Sequence, residues 1–324
     1  MTKKWEILGL KAAPGETAQG MVKLPSVAKE IPLVLIHGAK EGPTTVILGG
    51  IHGCEYTSID AAIKLSQLLK KEAVRGRIAV IPVVSVEAYS ARSIYVHPVD
   101  KKNLNRNFPG NEKGTETERL AFQVHQAVMK DCDFLIDLHG GDMNEALIPF
   151  ILFAKIPDKA LYDKSHQFAK AFGLPYVVGS ATEGSTYGCA AKEGKVAVLA
   201  EAGQQGIMDP EKSKMLVDGT LNALRSIDVL TGKVVEFHDQ VDVEEFVWTR
   251  SAHFGTWYPM VSVGQEVKTG QKAGELRDLL GNTLQEIHTQ VSGPVLFAVT
   301  TLAINNGDPL FAVGVIKKAK GAKH

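Results

Sequence analysis

The sequence predicts an α/β fold: a mixed sheet with helices on both faces, followed by a small C-terminal all-β barrel-like domain. Three observations predict it. From about residue 40 to 232, short, β-branched, nearly continuous apolar runs are bounded by Gly or Pro, as in strands covered on both faces. Helix-period segments alternate with those runs. After about residue 233 the texture turns to short strand candidates punctuated by glycine, with no competing helix. The expected division is therefore 1–232 for an α/β domain and 233–324 for a β-rich domain, and 324 residues are enough for both.

The first 40 residues are expected to add an edge strand or two. Buried strands are then predicted at Thr44 to Leu48, Ile78 to Val86, Phe134 to Leu138, Ile148 to Phe153 and Val196 to Ala200. Ile59, Ala62, Ile63, Ser66 and Leu69 trace one helical face. Thr115 and Glu118 form a capping box, after which Leu120, Ala121, Val124, Ala127 and Val128 keep helical spacing. Met215 to Leu230 is a third helix, stopped by Thr231-Gly232. In the tail the strand candidates are Val241 to Val247, Trp257 to Val263, Leu284 to Val291, Pro294 to Val299 and Pro309 to Val315.

Composition removes several function classes. Lysine plus arginine and aspartate plus glutamate each number 36, so the formal net charge is zero. There is no basic excess of the kind that draws in a nucleic acid, and none for an anionic membrane. The 44% apolar content excludes disorder. Cys54, Cys132 and Cys189 form neither a CxxC pair nor a disulfide framework. The opening Met1-Thr2-Lys3-Lys4-Trp5 lacks a signal-peptide apolar stretch, and no apolar run is long enough for a bilayer. A cytoplasmic protein is expected; zero net charge is compatible with a homo-oligomer.

The sharpest local feature is Gly49-Gly50-Ile51-His52-Gly53-Cys54-Glu55. His-x-x-Glu places an imidazole and a carboxylate within reach of one cation. Spacing alone decides nothing, because His97/Asp100 and His139/Asp142 share it. Context decides more. His52, His139 and Glu201 each follow directly after a predicted strand and stand beside glycines, and open α/β sheets bind ligands beyond the carboxyl ends of their strands. His52, Glu55 and His139 with one open position make the ligand set of a hydrolytic zinc site, leaving Glu201 as an acid or base beside it. The plainer alternative is a pair of core histidines, with Glu55 complementing a helix N-terminus.

A second feature is Asn103-Leu104-Asn105-Arg106-Asn107-Phe108-Pro109-Gly110. Pro109-Gly110 makes a turn, so these polar residues are expected on a loop. An arginine fork there matches a carboxylate, though on its own the segment reads first as a surface turn.

In this order the motifs resemble the succinylglutamate desuccinylase/aspartoacylase family, of the zinc-carboxypeptidase-like fold. The resemblance covers most of the chain, the β-rich tail included. It implies one zinc ion per chain, with His52, Glu55 and His139 as ligands and Glu201 as general base and later acid. It implies that Asn105 and Arg106 hold the substrate's carboxylate, and that Arg92, in Ala91-Arg92-Ser93, polarises the scissile carbonyl. Gly140-Gly141-Asp142 stands where the peptidase branch carries Ser-Tyr, and the mobile tyrosine of that branch has no counterpart; Tyr187 and Tyr258 qualify only by residue type. The expected activity is thus a zinc-dependent amidohydrolase that removes an acyl group from a small N-acyl amino acid or related carboxylate-bearing amide. The alternatives are a metallocarboxypeptidase on short peptides and a non-catalytic, metal-retaining binding module.

The tail also resembles, more remotely, a biotinyl/lipoyl carrier domain, but its candidate hairpin Gln285 to Thr289 has no lysine. A wall or lid of the site, or an oligomer contact, is expected instead. Cys54 is read as a packing residue, His97 as loop structure and His125 as a boundary residue; Ser185 to Gly188 falls shortly before the Glu201 strand, where it would line the pocket, but a plain loop is the favoured reading.

Overall fold

The computed structural model describes residues 4–25, 27–180 and 182–317, so Met1 to Lys3 of the opening stretch lie outside the described residues. A large mixed sheet dominates. Its parallel centre is built from strands Val196–Glu201, Phe134–His139, Lys40–Leu48 and Arg75–Ile81, side by side in that order. Ile31–His37 and Glu16–Val22 extend it antiparallel beyond Arg75–Ile81, which are the expected edge strands. On the other side Phe150–Ala154 pairs antiparallel with Val196–Glu201, and Tyr176–Ser180 follows it.

Alternation along the strands sorts side chains into two cores. Leu135, Ala197 and Leu199 pack with Leu120, Ala121 and Val124 of helix Glu116–Val124 on one face. Ile136, Leu138, Val198 and Ala200 pack on the other face against helices Tyr56–Leu68, Lys159–Phe172 and Pro210–Ser226. Helices therefore cover both faces, as expected. The capping box at Thr115 and Glu118 is formed, and helix Glu116–Val124 runs on into a π-helical turn, His125–Met129.

Several boundaries differ from expectation for local reasons. The strand predicted at Ile78 to Val86 ends at Ile81, because Pro82 has no N–H to continue the ladder; Val86 instead opens helix Val86–Ala91. The third helix starts earlier and ends earlier than predicted, at Pro210–Ser226, with Asp209 capping it and Pro210 in its first turn. Beyond it, Leu230 bridges to Val74 instead of extending the helix. Ser185 is not in a plain loop: its side chain accepts the Gly188 N–H and caps helix Thr186–Lys192. Tyr176–Ser180 and Lys159–Phe172 were not anticipated.

The tail, Val241 onward, has strands and no helix among the described residues. Val241–Arg250 pairs in parallel with Tyr176–Ser180, and Pro309–Ile316 and Gly293–Val299 continue the same sheet. A separate four-stranded sheet, Thr283–His288, Lys272–Arg277, Gly255–Pro259 and Ala303–Ile304, packs on these strands. Trp257, Leu276 and Ile287 meet Phe297, Phe311 and Val313 in a third core. No helix of the described residues is long and apolar enough to cross a membrane.

Candidate active site

The site forms where three central strands end. In the parallel pairing of Val196–Glu201 with Phe134–His139, Glu201 stands directly beside His139. Asp137 lies two residues before His139 and so shares its face, one step deeper. The chain leaving Lys40–Leu48 turns through Gly49 to Cys54 before Glu55 opens helix Tyr56–Leu68. Gly53 allows this path: a Cβ there would sit 2.2 Å from the Tyr89 backbone nitrogen. Gly184 plays the same part for the neighbouring loop. Its φ is +67°, a Cβ would fall 2.2 Å from the Arg106 carbonyl oxygen, and its own carbonyl accepts the Phe108 N–H.

His52, Glu55 and His139 meet in one buried cluster, with their ligand atoms within 4.8 Å of one another. His52 Nδ1 lies 2.5 Å from Glu55 Oε1, and His139 Nδ1 lies 2.8 Å from Glu55 Oε2. Glu55 occupies the N-cap position of its helix without a side-chain capping bond; its carboxylate oxygens face His52, His139 and the Gly140 N–H instead. The shared His-x-x-acid spacing separates as well: the acids beside His139 are Glu55 and Asp137, whereas His97 lies 3.0 Å from Glu87 and 3.8 Å from Asp100, outside the cluster.

Outer partners fix how both rings are protonated. Asn103 Oδ1 accepts the Asn105 N–H at 2.8 Å and lies 3.0 Å from His52 Nε2, so that nitrogen is the donor. His139 Nε2 likewise donates to Asp137 Oδ2 at 3.0 Å. Each ring thus commits its Nε2–H outward and turns Nδ1 toward Glu55. Two nitrogen lone pairs this close to a carboxylate require a cation between them, a proton or a metal ion. Asp137, Glu55, Glu145 and Glu201 place four carboxyl groups around two imidazoles, a balance that favours a divalent cation. The residues present therefore fit a metal of the zinc type, with His52, Glu55 and His139 as its ligands.

The electrostatics carry the same signature. Burial pushes the Glu55 carboxyl up, but the adjoining His139 and His52 overcome it and hold it below the usual carboxylate range. Burial disfavours a charged His139, yet Asp137 and Glu55 raise its pKa well above the ordinary value. Glu201 is pushed up, chiefly by burial, with Glu55 and Glu145 adding to the effect, and its Oε2 has no hydrogen-bond partner. Glu145 is raised to about 7 by burial and by Glu55.

These shifts set a pH dependence. Glu145 and His139 both hold protons more tightly in the folded chain than in the unfolded one. Their contribution is complete below the unfolded values (about 4.5 and 6.5) and is lost as pH rises through the folded ones. The melting temperature of metal-free protein is expected to fall as pH rises from about 5 through about 7, and metal loading to abolish most of that fall. Thermal unfolding across this range, with and without zinc, checks it.

Asp137, in the strand that ends at His139, supports that ring from behind. Its Oδ2 accepts from His139 Nε2 and, in a very short hydrogen bond, from Thr186 Oγ1. Carboxylates behind a ligating histidine typically contribute 10–100-fold in metal affinity. Asp137→Ala is accordingly expected to weaken zinc binding by about 10–100-fold, measured by competition with a chelator.

A cavity of about 710 Å³ opens over the cluster. Asn105, Arg106 and Glu201 line it with the three cluster residues. Asn105 is buried, and its Oδ1 accepts the Thr186 N–H. Arg106 donates to the Asn105 carbonyl at 2.6 Å and forms no ion pair among the described residues, leaving guanidinium donors for a ligand. Arg92 is the exception among the expected residues. It is exposed, adopts a left-handed φ of 51° at the end of helix Val86–Ala91, and is absent from the cavity wall. It lies close enough to Cys54 and Tyr56, on either side of Glu55, to act on both electrostatically. Cys54 is buried, its thiol donating to Ser93 O at 3.6 Å, outside the ligand set.

Sequence reasoning missed Glu145, Trp248, Arg250 and Asp308, and gave no role to Asn103 or Thr186. Asp137 and His139 at i and i+2 of a strand carried a readable signal. Trp248, Arg250 and Asp308 carried none, because long-range pairings of Val241–Arg250, with Tyr176–Ser180 on one side and Pro309–Ile316 on the other, bring them to the cavity.

A family model of the succinylglutamate desuccinylase/aspartoacylase catalytic domain matches residues 41–227. The chain is 27% identical to the N-alpha-acetyl-L-2,4-diaminobutyric acid deacetylase of Halomonas elongata, covering 97% of this chain and 92% of that one. Among solved structures, the product-bound ectoine utilization protein EutE (DoeB) of Ruegeria pomeroyi is 27% identical, with a TM-score of 0.85 and coverage of 97% and 98%. A succinylglutamate desuccinylase/aspartoacylase from Rhodobacter sphaeroides is 26% identical, with a TM-score of 0.83 and coverage of 94% and 96%. The chain is an amide-bond hydrolase and belongs to the succinylglutamate desuccinylase/aspartoacylase family.

Proposed function

We propose that this protein is a zinc-dependent deacylase of small N-acyl amino acids. One observation carries the reading: two imidazoles turn their Nδ1 atoms onto a single carboxylate, and a buried glutamate with an unpartnered oxygen stands beside them. A zinc ion, when bound, supplies Lewis acidity that polarises a carbonyl and eases deprotonation of water. His52, Glu55 and His139 would hold it.

The chain's own residues account for the rest. Arg106 takes the substrate's carboxylate as a bidentate fork, and the Asn105 amide sets its orientation. Fixing that end brings the acyl carbonyl over the cluster and lowers the entropic part of the barrier. Glu201 accepts a proton from the attacking water and delivers it to the departing amine nitrogen. Its raised pKa suits both steps near neutrality, since one carboxyl must be a base first and an acid afterwards. The division into a catalytic unit at 1–232 and a β-rich unit at 233–324 gives the second unit a part in this site, because Trp248 and Arg250 line the cavity. A cytoplasmic setting accords with three free, buried cysteines.

Initial rates of zinc-loaded protein on a panel of N-acetyl amino acids and matched dipeptides test the proposal. Faster release of amino acid from the N-acetyl compounds is expected. Preference for dipeptides would instead favour a carboxypeptidase.

A further inference from the structure

A second group of ligand-bearing side chains lies outside the catalytic cluster. His125, Cys189 and Glu193 bring an imidazole nitrogen, a thiol sulfur and a carboxylate oxygen within 4.8 Å of one another. None of the three lines the cavity. Two elements meet here. Cys189 belongs to helix Thr186–Lys192, and Glu193 caps its C-terminal end one turn later, on the same face. His125 opens the π-helical turn His125–Met129, where the Lys130 N–H returns to the His125 carbonyl at 2.9 Å. Such turns widen a helix by one residue and recur at functional sites.

Three features separate this group from an ordinary ion pair. His125 Nε2 lies 2.7 Å from Glu193 Oε1, while Lys195 holds Glu193 Oε2 in a very short contact, so the carboxylate keeps one oxygen turned to the imidazole. The Gln126 amide lies 3.2 Å from the other ring nitrogen, an outer partner of the kind that orients a ligating histidine. Cys189 is 7% exposed, and its thiol makes no hydrogen bond among the described residues. Burial, with Glu193 adding to it, pushes that thiol up to about 11, which disqualifies it as a nucleophile near neutrality. Coordination reverses this, since a metal-bound thiol is deprotonated outright. Lys192, the other cation near the thiol, pairs with Glu183. A thiolate and a carboxylate against the Lys195 ammonium then leave one net negative charge for a divalent ion to offset. Glu193 is exposed, which gives an ion a way in.

We propose that His125, Cys189 and Glu193 hold a second divalent cation, of the thiophilic zinc class, which fastens helix Thr186–Lys192 to the π-helical turn. A sulfur ligand selects zinc or cobalt(II) over magnesium, calcium or manganese. Water takes the fourth tetrahedral position. The fastened helix carries Thr186 at its other end, where it holds Asp137 behind His139. The ion thus braces the catalytic cluster without taking part in its chemistry, and the inference does not depend on the deacylase reading.

Cobalt(II) is the probe, because His52, Glu55 and His139 offer only nitrogen and oxygen, whereas a thiolate-to-cobalt charge-transfer band in the near ultraviolet reports sulfur. Titration of the metal-stripped full chain is expected to take up two equivalents, one of them with that band. Cys189→Ser should lose the band and one equivalent and keep the other. Glu193→Gln, a change at an exposed position, should weaken the banded equivalent by about 10-fold or more. His139→Ala, which empties the catalytic cluster, should leave the band in place. Filling the banded site should raise the melting temperature of the parent and not that of Cys189→Ser. Uptake of a single equivalent with no sulfur band would overturn the proposal and leave the deacylase reading standing. A band that survives Cys189→Ser and disappears in Cys54→Ser would also overturn it, by placing the thiolate beside Glu55. A banded equivalent that adds nothing to the melting temperature would overturn the bracing role.

Discussion

Glu201→Gln is expected to lower kcat by about 10²–10⁴-fold, the usual contribution of a positioned acid–base group, while zinc content stays at the parental level. The substitution keeps the shape of the side chain and removes its ability to exchange a proton. Glu201 is not among the residues that gather into the cluster, so the ligand set is untouched. It nevertheless stands level with His139 on the adjoining strand, close enough to serve a water at the cluster. KM should change little, because the carboxylate-binding residues Asn105 and Arg106 sit on a different element. Steady-state kinetics with metal analysis of the same sample check both halves. A variant with parental turnover would show that another group moves the proton.

His139→Ala is expected to abolish zinc retention and activity together. It is also expected to cost stability, because it removes the group that satisfies two buried carboxyls. Glu55 and Asp137 both face this ring, at 2.8 Å and 3.0 Å, and both are buried. Removing one partner of a buried charged arrangement typically costs about 3–5 kcal/mol. His139→Gln, which returns a donor but is a poor metal ligand, should recover part of the stability and none of the zinc. Denaturant unfolding and metal analysis of the two variants separate the electrostatic role from the ligand role.

The contrast between what the chain revealed in advance and what it withheld has physical causes. Strand-end positions were legible because continuous β-branched runs followed by glycine mark both a buried strand and the place where it ends. His52, His139 and Glu201 could thus be set at one edge of the sheet before their distances were known. The Thr115/Glu118 capping box was legible because both partners are local. Pairings between distant segments were not. Nothing in Trp248 or Arg250 announces that Val241–Arg250 will dock against Tyr176–Ser180 and carry them to the cavity. The place of Arg92 was not legible either: residue order set it near the site, but that it is exposed at a left-handed helix end, outside the cavity lining, is decided by backbone geometry.

Ser185 shows how a weak local signal can be misjudged. Ser-Thr-Tyr-Gly reads as loop chemistry, yet a serine followed by Thr186 to Lys192 is also a helix N-cap. That helix matters to the site, since its first residue hydrogen-bonds Asp137 and its second, Tyr187, lines the cavity. Helix, strand and loop residues are consequently coupled through one carboxylate behind His139.

Anomalous diffraction at the zinc edge, on crystals of protein purified without chelator, tests the central claim most directly. The account predicts one strong peak per chain, bounded by His52 Nδ1, a Glu55 carboxylate oxygen and His139 Nδ1, with Glu201 facing it. A peak coordinated by other side chains, or no peak after soaking in zinc, would contradict it.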